Sequence, residues 1–153
     1  MSIKMLVMDV DGTLTDGHIY IGPEGEMMKA FHVQDGYAIA HILPQKSIVP
    51  VIITGRCSKI VERRAEELKI VHLHQGVADK LAKLKEVATA LDVAANEIAY
   101  IGDDVNDLDC IHYCGLTACP ADAVPVVREA VRYICSRNGG NGAVREFVEK
   151  VCK

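Results

Sequence analysis

The chain has 153 residues, half of them hydrophobic and a quarter charged. That is enough to bury one sizeable core, so a single α/β domain over 1–153 fits better than two small ones. A net charge of −4, a pI near 5.8 and scattered Lys and Arg exclude the basic footprint of nucleic-acid or anionic-membrane binding.

In chain order, the apolar run IKMLVM at 3–8 has strand character and breaks into DVDGTLTDG, which sets Asp9 and Asp11 one residue apart. Residues 17–33, GHIYIGPEGEMMKAFHV, predict two strands around Gly22-Pro23-Glu24-Gly25, a β-hairpin too short for a domain of its own. IVPVII at 48–53 predicts the next strand and leads into Thr54-Gly55-Arg56. Val61, Ala65 and Leu68 then share one face of a helix, and Leu81, Leu84, Ala88 and Leu91 one face of the next. Between these helices His72 and His74 alternate as strand residues do, and with no third ligand nearby they read as an ordinary edge-strand pair.

EIAYI at 97–101 predicts a further strand, followed by GDDVNDLD with Asp103, Asp104 and Asp107, and LTAC at 116–119 a weaker one. The tail, 139–151, reads as a glycine-rich hinge and then a helix with Val144, Phe147, Val148 and Val151 on one side. Strands alternating with helices predict parallel βαβ units with helices on both faces. The six cysteines contain no CxxC pair and are expected as reduced, mostly buried thiols. No apolar stretch reaches membrane-spanning length and the first residues lack a cleavage site, so a cytoplasmic protein is expected.

The chemistry gathers at strand ends. Ligands of a parallel sheet bind beyond the carboxyl ends of its strands, where Asp9 and Asp11 should meet the Asp103–Asp107 group. Each acidic motif alone could merely form a turn or cap a helix. Together, each directly after an apolar strand, they predict carboxylates that raise one another's pKa unless a cation neutralises them, and hard oxygen ligands of this kind suit Mg²⁺ with a substrate phosphate. Thr54 could hold phosphoryl oxygens or cap a helix; Lys80 could supply a fixed positive charge or sit in solvent.

The order DVDGT, a strand ending ITG, DK, then GDDVND resembles the haloacid dehalogenase superfamily of aspartate-nucleophile phosphotransferases. The resemblance implies a three-layer Rossmann-like parallel sheet in which Asp9 attacks phosphorus, while Asp11 protonates the leaving oxygen and then activates water. It implies that Thr54 and Lys80 steady the transferring group. Asp9, the main-chain carbonyl of Asp11 and Asp103 would hold Mg²⁺, with Asp104 or Asp107 in support. Over nearly the whole chain, stretches such as DGTLTDGHIYIGPEGEMMKAFHVQDGYAI and GGNGAVREFVEKV look like the 3-deoxy-D-manno-octulosonate 8-phosphate phosphatases of lipopolysaccharide sugar synthesis.

Those enzymes lack a large cap domain and are typically homotetramers in which the hairpins associate and a neighbouring subunit helps close the site. The match implies a phosphorylated sugar acid bound by His32, Val33, Gln34, Asp35 and Gly36, by Gly55, Arg56 and Arg64, and by Asp11, Thr54 and Lys80. Gln34 and Ala40 stand where the family often has arginine. A sister branch acting on nine-carbon 9-phosphates tends to carry Glu directly after Thr-Gly, where this chain has Arg56, which favours the eight-carbon substrate. Two non-enzymatic alternatives are a phospho-accepting receiver and a sugar-phosphate-binding module without turnover; the position of Asp9 on the first strand opposes one and the intact Asp11 the other.

Overall fold

The computed structural model describes residues 2–153. Six strands, β1 (Met5–Met8), β4 (Val49–Ile53), β5 (His72–His74), β6 (Ile98–Ile101), β7 (Leu116–Cys119) and β8 (Tyr133–Ile134), form one sheet; β2 (Tyr20–Gly22) and β3 (Gly25–Met28) form the hairpin. The sheet order is β5-β4-β1-β6-β7-β8 and every pairing is parallel. The chain fills one side of β1 before crossing to the other, so a ligand crevice opens at the carboxyl ends of β1 and β6.

All four residues of β1 are buried, which explains its unbroken apolar run. Alternate side chains serve two cores. Leu6, Met8, Ile52, Ala99 and Ile101 pack with Ile39, Leu43 and Phe147 on one face. Met5, Val7, Val51, Ile53, Ile98 and Tyr100 pack with Leu84, Val87, Cys110 and Val127 on the other. Full burial of each large aliphatic side chain contributes about 1.5–3 kcal/mol, so these two layers hold the sheet rigid beneath the crevice.

The predicted helices are present as α3 (Lys59–Glu67), α4 (Lys80–Ala90) and α7 (Ala143–Val151), and the predicted hairpin turns where Gly22 and Gly25 pair. The periodicity does not mark a helical stretch over 33–45: α1 (Val33–Tyr37) runs through a π turn (Ala38–Ile42) into α2 (Leu43–Gln45). Pro44 has no N–H to offer the preceding turn, and the widened π turn lets the helix pass over it. Two short helices, α5 (Leu108–Tyr113) and α6 (Pro125–Ala130), complete the second face.

One expectation needs correction. The glycine-rich segment before α7 is no hinge: a Cβ on Gly139 would lie 2.0 Å from the Gly12 carbonyl oxygen, and one on Gly140 2.5 Å from the Asp16 nitrogen. The Gly140 N–H also donates to the Thr13 carbonyl at 3.1 Å, so the glycines allow backbone to pack directly on the loop after β1.

Among the described residues all six cysteines are unpaired, with Cys110, Cys114, Cys119 and Cys135 buried. Burial pushes the Cys110 and Cys135 thiols up to about 12, which keeps them unreactive. His72 and His74 lie on the edge strand β5 and join no metal-ligand cluster among the described residues. No helix there is long and apolar enough to cross a membrane.

Candidate active site

Asp9 follows the last residue of β1, and its backbone N–H donates to the Ile101 carbonyl of β6 at 3.2 Å, which fixes the buried carboxyl at the crevice. The loop then turns at Gly12 with φ +90°, a conformation that costs glycine nothing. A Cβ there would lie 2.0 Å from Asp103 Oδ2, so only glycine lets this loop approach the end of β6. Thr13 completes the link by donating its hydroxyl to Asp103 Oδ1 at 3.0 Å.

Lys80 is the first residue of α4 and is 3% exposed, not solvated as a lone lysine would be. Its ammonium lies 3.0 Å from Asp9 Oδ1 and 2.9 Å from Asp107 Oδ1. Burial alone would lower its pKa, but Asp9 and Asp107 hold it above the ordinary lysine value. Asp107 is saturated: Oδ1 also accepts from the Tyr100 hydroxyl, and Oδ2 accepts the N–H groups of Asp103 at 2.9 Å and Asp104 at 3.2 Å. It braces the site. Asp104 contributes through that backbone N–H, since its exposed carboxylate caps the following turn at the Val105 N–H.

Ligand oxygens of Asp9, Asp103 and Asp107 lie within 4.8 Å of one another. Burial and the neighbouring charges raise Asp9, and push Asp103 up to about 9. Three carboxylates against one ammonium leave two negative charges, and Asp107 has no oxygen to spare. A divalent cation between Asp9 and Asp103 fits both the charge and the donor set, and Mg²⁺ is the hard ion such oxygens select.

That shift has a measurable consequence. With Asp103 protonated in the folded chain from the ordinary aspartate range up to about 9, the native state binds the extra proton. Without metal, stability therefore falls as pH rises through that window. Mg²⁺ displaces the proton, so it should raise Tm more near about pH 8 than near about pH 6. Equal shifts in calorimetric scans at the two values would show that no proton is traded for metal.

Asp11 turns its carboxylate away from this cluster. Oδ1 accepts from Lys29 at 2.5 Å, and Oδ2 lies 3.9 Å from Arg56 Nε. Lys29 and Arg56 also face Glu26 Oε2 at 3.2 and 3.6 Å, while Glu26 Oε1 accepts the Ser58 hydroxyl. Burial opposes ionisation of Glu26, but the Ser58 hydrogen bond and Lys29 keep its carboxyl below the usual range. Lys29, Glu26, Ser58 and Tyr100 carried no signal in the sequence beyond their chemistry: Lys29 and Glu26 read as hairpin surface, Tyr100 as strand core.

Thr54 is buried after β4; its backbone donates to His74 and accepts from Val77, so it does not cap α3. Ser58 caps that helix, and Arg56 therefore stands in the loop before it, not along the helix with Arg64. Gly55 and Arg56 are exposed at the crevice. Arg64 lies over the Phe31 ring at 5.5 Å and against Gly36, with its Nε buried and without a hydrogen bond. His32 caps α1 through the Gln34 N–H, Val33 is exposed, Gln34 accepts from Arg137 at 3.2 Å, and buried Asp35 accepts the Arg145 N–H at 2.9 Å. Arg56 and Arg64 thus occupy different surroundings.

A family model of haloacid dehalogenase-like hydrolases matches residues 52–147. The 3-deoxy-D-manno-octulosonate 8-phosphate phosphatase of Yersinia pestis is 42% identical over 150 residues, 98% of this chain and 80% of that protein. This chain belongs to the 3-deoxy-D-manno-octulosonate 8-phosphate phosphatase family. Its fold agrees with solved members of that phosphatase family. The Moraxella catarrhalis phosphatase, in complex with magnesium ion, phosphate ion and KDO, superposes with TM-score 0.93 at 44% identity over 97% of this chain and 85% of that one. The cobalt-bound Haemophilus influenzae phosphatase gives 0.95 at 37% identity over 98% and 87%.

Proposed function

We propose that this chain hydrolyses 3-deoxy-D-manno-octulosonate 8-phosphate to the free sugar acid and phosphate, with Mg²⁺ and through an aspartyl-phosphate on Asp9. The observation that carries the reading is the buried Asp9 held by Lys80 and facing Asp103 where β1 and β6 open the crevice. The relatives' activity and the magnesium, phosphate and KDO of the Moraxella catarrhalis complex support it.

Asp9 attacks phosphorus as the ester P–O bond to C8 breaks, and Asp11 gives its proton to the leaving oxygen. Asp11 then takes a proton from water, whose oxygen attacks phosphorus and frees Asp9. Lys80 keeps Asp9 oriented and offsets charge on the phosphoryl group, and the Thr54 hydroxyl and Gly55 N–H hold its oxygens. Asp9, the Asp11 carbonyl and Asp103 would hold Mg²⁺, which supplies positive charge between the carboxylates and phosphate. Asp107 and Asp104 hold that shell in place.

Arg56, with half its side chain exposed beside Asp11, offers a guanidinium to the substrate carboxylate. Arg64 and residues 32–36 line the rest. The hairpin exposes Ile21, Met27 and Met28, an apolar surface suited to a tetramer in which a neighbour closes the crevice. One domain spans the chain, and its unpaired thiols suit a reducing cytoplasm.

Phosphate release from the eight-carbon 8-phosphate and a nine-carbon 9-phosphate tests the substrate. The kcat/KM should favour the former by about tenfold or more, since a misplaced carboxylate forfeits its pairing with the Arg56 guanidinium. A preference for the nine-carbon ester would overturn this reading.

A further inference from the structure

The hairpin does more than present an apolar surface. Lys29, one residue beyond β3, has 1% of its side chain exposed, deeper than any need for a hairpin anchor demands of a cation. Burying an ammonium costs several kcal/mol, by order of magnitude, unless it is paired and hydrogen-bonded, and a methionine of similar length would anchor the hairpin at no such cost. Lys29 is paired twice, at 2.5 Å to Asp11 and 3.2 Å to Glu26. Among the described residues it is the one hydrogen-bond donor to the Asp11 carboxylate; Arg56 is too distant, at 3.9 Å.

Glu26 is itself fixed from the far side of the crevice. Ser58, the N-cap of α3, donates to Oε1, and Arg56 stands 3.6 Å from Oε2. Lys29 and Arg56 stand beside both Asp11 and Glu26; Lys29 engages Asp11 Oδ1, while Oδ2, 3.9 Å from Arg56 Nε, is left to carry the proton that the acid step needs. The two acids of the DVD motif therefore occupy opposite electrostatic settings: Asp9 in a cluster with two further acids and one ammonium, Asp11 beside two cations and one further acid. Swung towards Asp9, the Asp11 carboxylate would add a fourth acid to that cluster, so its present direction depends on the hairpin's lysine.

We infer that Lys29, clamped by Glu26, is a positioning residue that aims Asp11 at the leaving oxygen of the substrate. The inference rests on the proposed phosphatase reading, in which Asp11 is the acid. A lysine with this role matters in proportion to how much the leaving group needs a proton. A merely structural lysine would affect all substrates alike.

The test compares kcat/KM for p-nitrophenyl phosphate, whose leaving group departs without a proton, and phenyl phosphate, whose leaving group needs one. Lys29→Met should lower the first by less than about threefold and the second by roughly 100-fold, within the range of general-acid contributions. Lys29→Arg should recover most of the loss on phenyl phosphate. Where Lys29→Met does not fold, Lys29→Gln carries the same comparison. Equal falls on both esters, or none, would overturn the inference. Wild type that cleaves both aryl esters but not the sugar-acid phosphate would overturn the proposed substrate alone, with Lys29 still decided by the ratio. Wild type that cleaves no ester would overturn both.

Discussion

Asp9→Asn should abolish phosphate release, lowering kcat by at least about 10⁴-fold, because the amide cannot form the acyl phosphate. The substitution is isosteric, so this loss should come without unfolding. Burial and Asp107 raise the Asp9 pKa despite Lys80, which means that the folded chain disfavours the charged form. A neutral amide relieves that cost, and the metal-free Asp9→Asn variant should melt at or above the wild-type temperature. It should also respond less to Mg²⁺, having lost a ligand of the cluster. Turnover equal to wild type in a malachite-green assay would remove Asp9 as nucleophile. Turnover lost together with the folded baseline would show that Asp9 serves the fold instead.

The framework of this site was readable because its signals are local. Unbroken apolar runs marked β1, β4 and β6, and an acid within two residues of the end of two of them placed Asp9 and Asp103 at one sheet edge. What escaped depends on partners distant in the chain. From its own neighbours Lys80 looks solvated, and the resemblance alone singled it out; its contact with Asp9, 71 positions away, comes only with the folding of α4. Tyr100 reads as one more core residue of β6, yet its hydroxyl reaches Asp107. Lys29 and Glu26 look like hairpin surface because the hairpin's docking on Ser58 and Arg56 is tertiary. The glycines before α7 resemble a hinge for the same reason: Gly139 and Gly140 serve close approach to Gly12 and Asp16, invisible without the fold.

These contacts give the loop after β1 support from three directions. Gly12 packs on Asp103, the tail glycines press on its outer side, and Lys29 holds Asp11 from the hairpin. The short stretch carrying Asp9 and Asp11, the two acids of the proposed mechanism, is thereby fixed by segments drawn from most of the chain, which is the preorganisation a phosphoryl transfer requires.

Lys80→Met should have the second largest effect, and on two readouts. A cation at the first position of a helix is opposed by the helix dipole, so Lys80 is poorly placed for α4 itself. Its stabilising partners are Asp9 at 3.0 Å and Asp107 at 2.9 Å, and removing one side of a buried pair typically costs about 3–5 kcal/mol. That loss should be largest in metal-free protein at alkaline pH. Asp9 and Asp103 have raised pKa values, so lowering the pH protonates them, removes the unpaired charge and shrinks the difference from wild type. Urea denaturation at two pH values measures this directly. With Mg²⁺ present the fold should recover while kcat stays down by roughly 10²–10³-fold, since the metal neutralises the carboxylates but cannot replace the ammonium beside Asp9. A variant as stable as wild type at both pH values would mean that the Lys80 pairs contribute nothing to the fold, and one with wild-type kcat would remove Lys80 from the reaction.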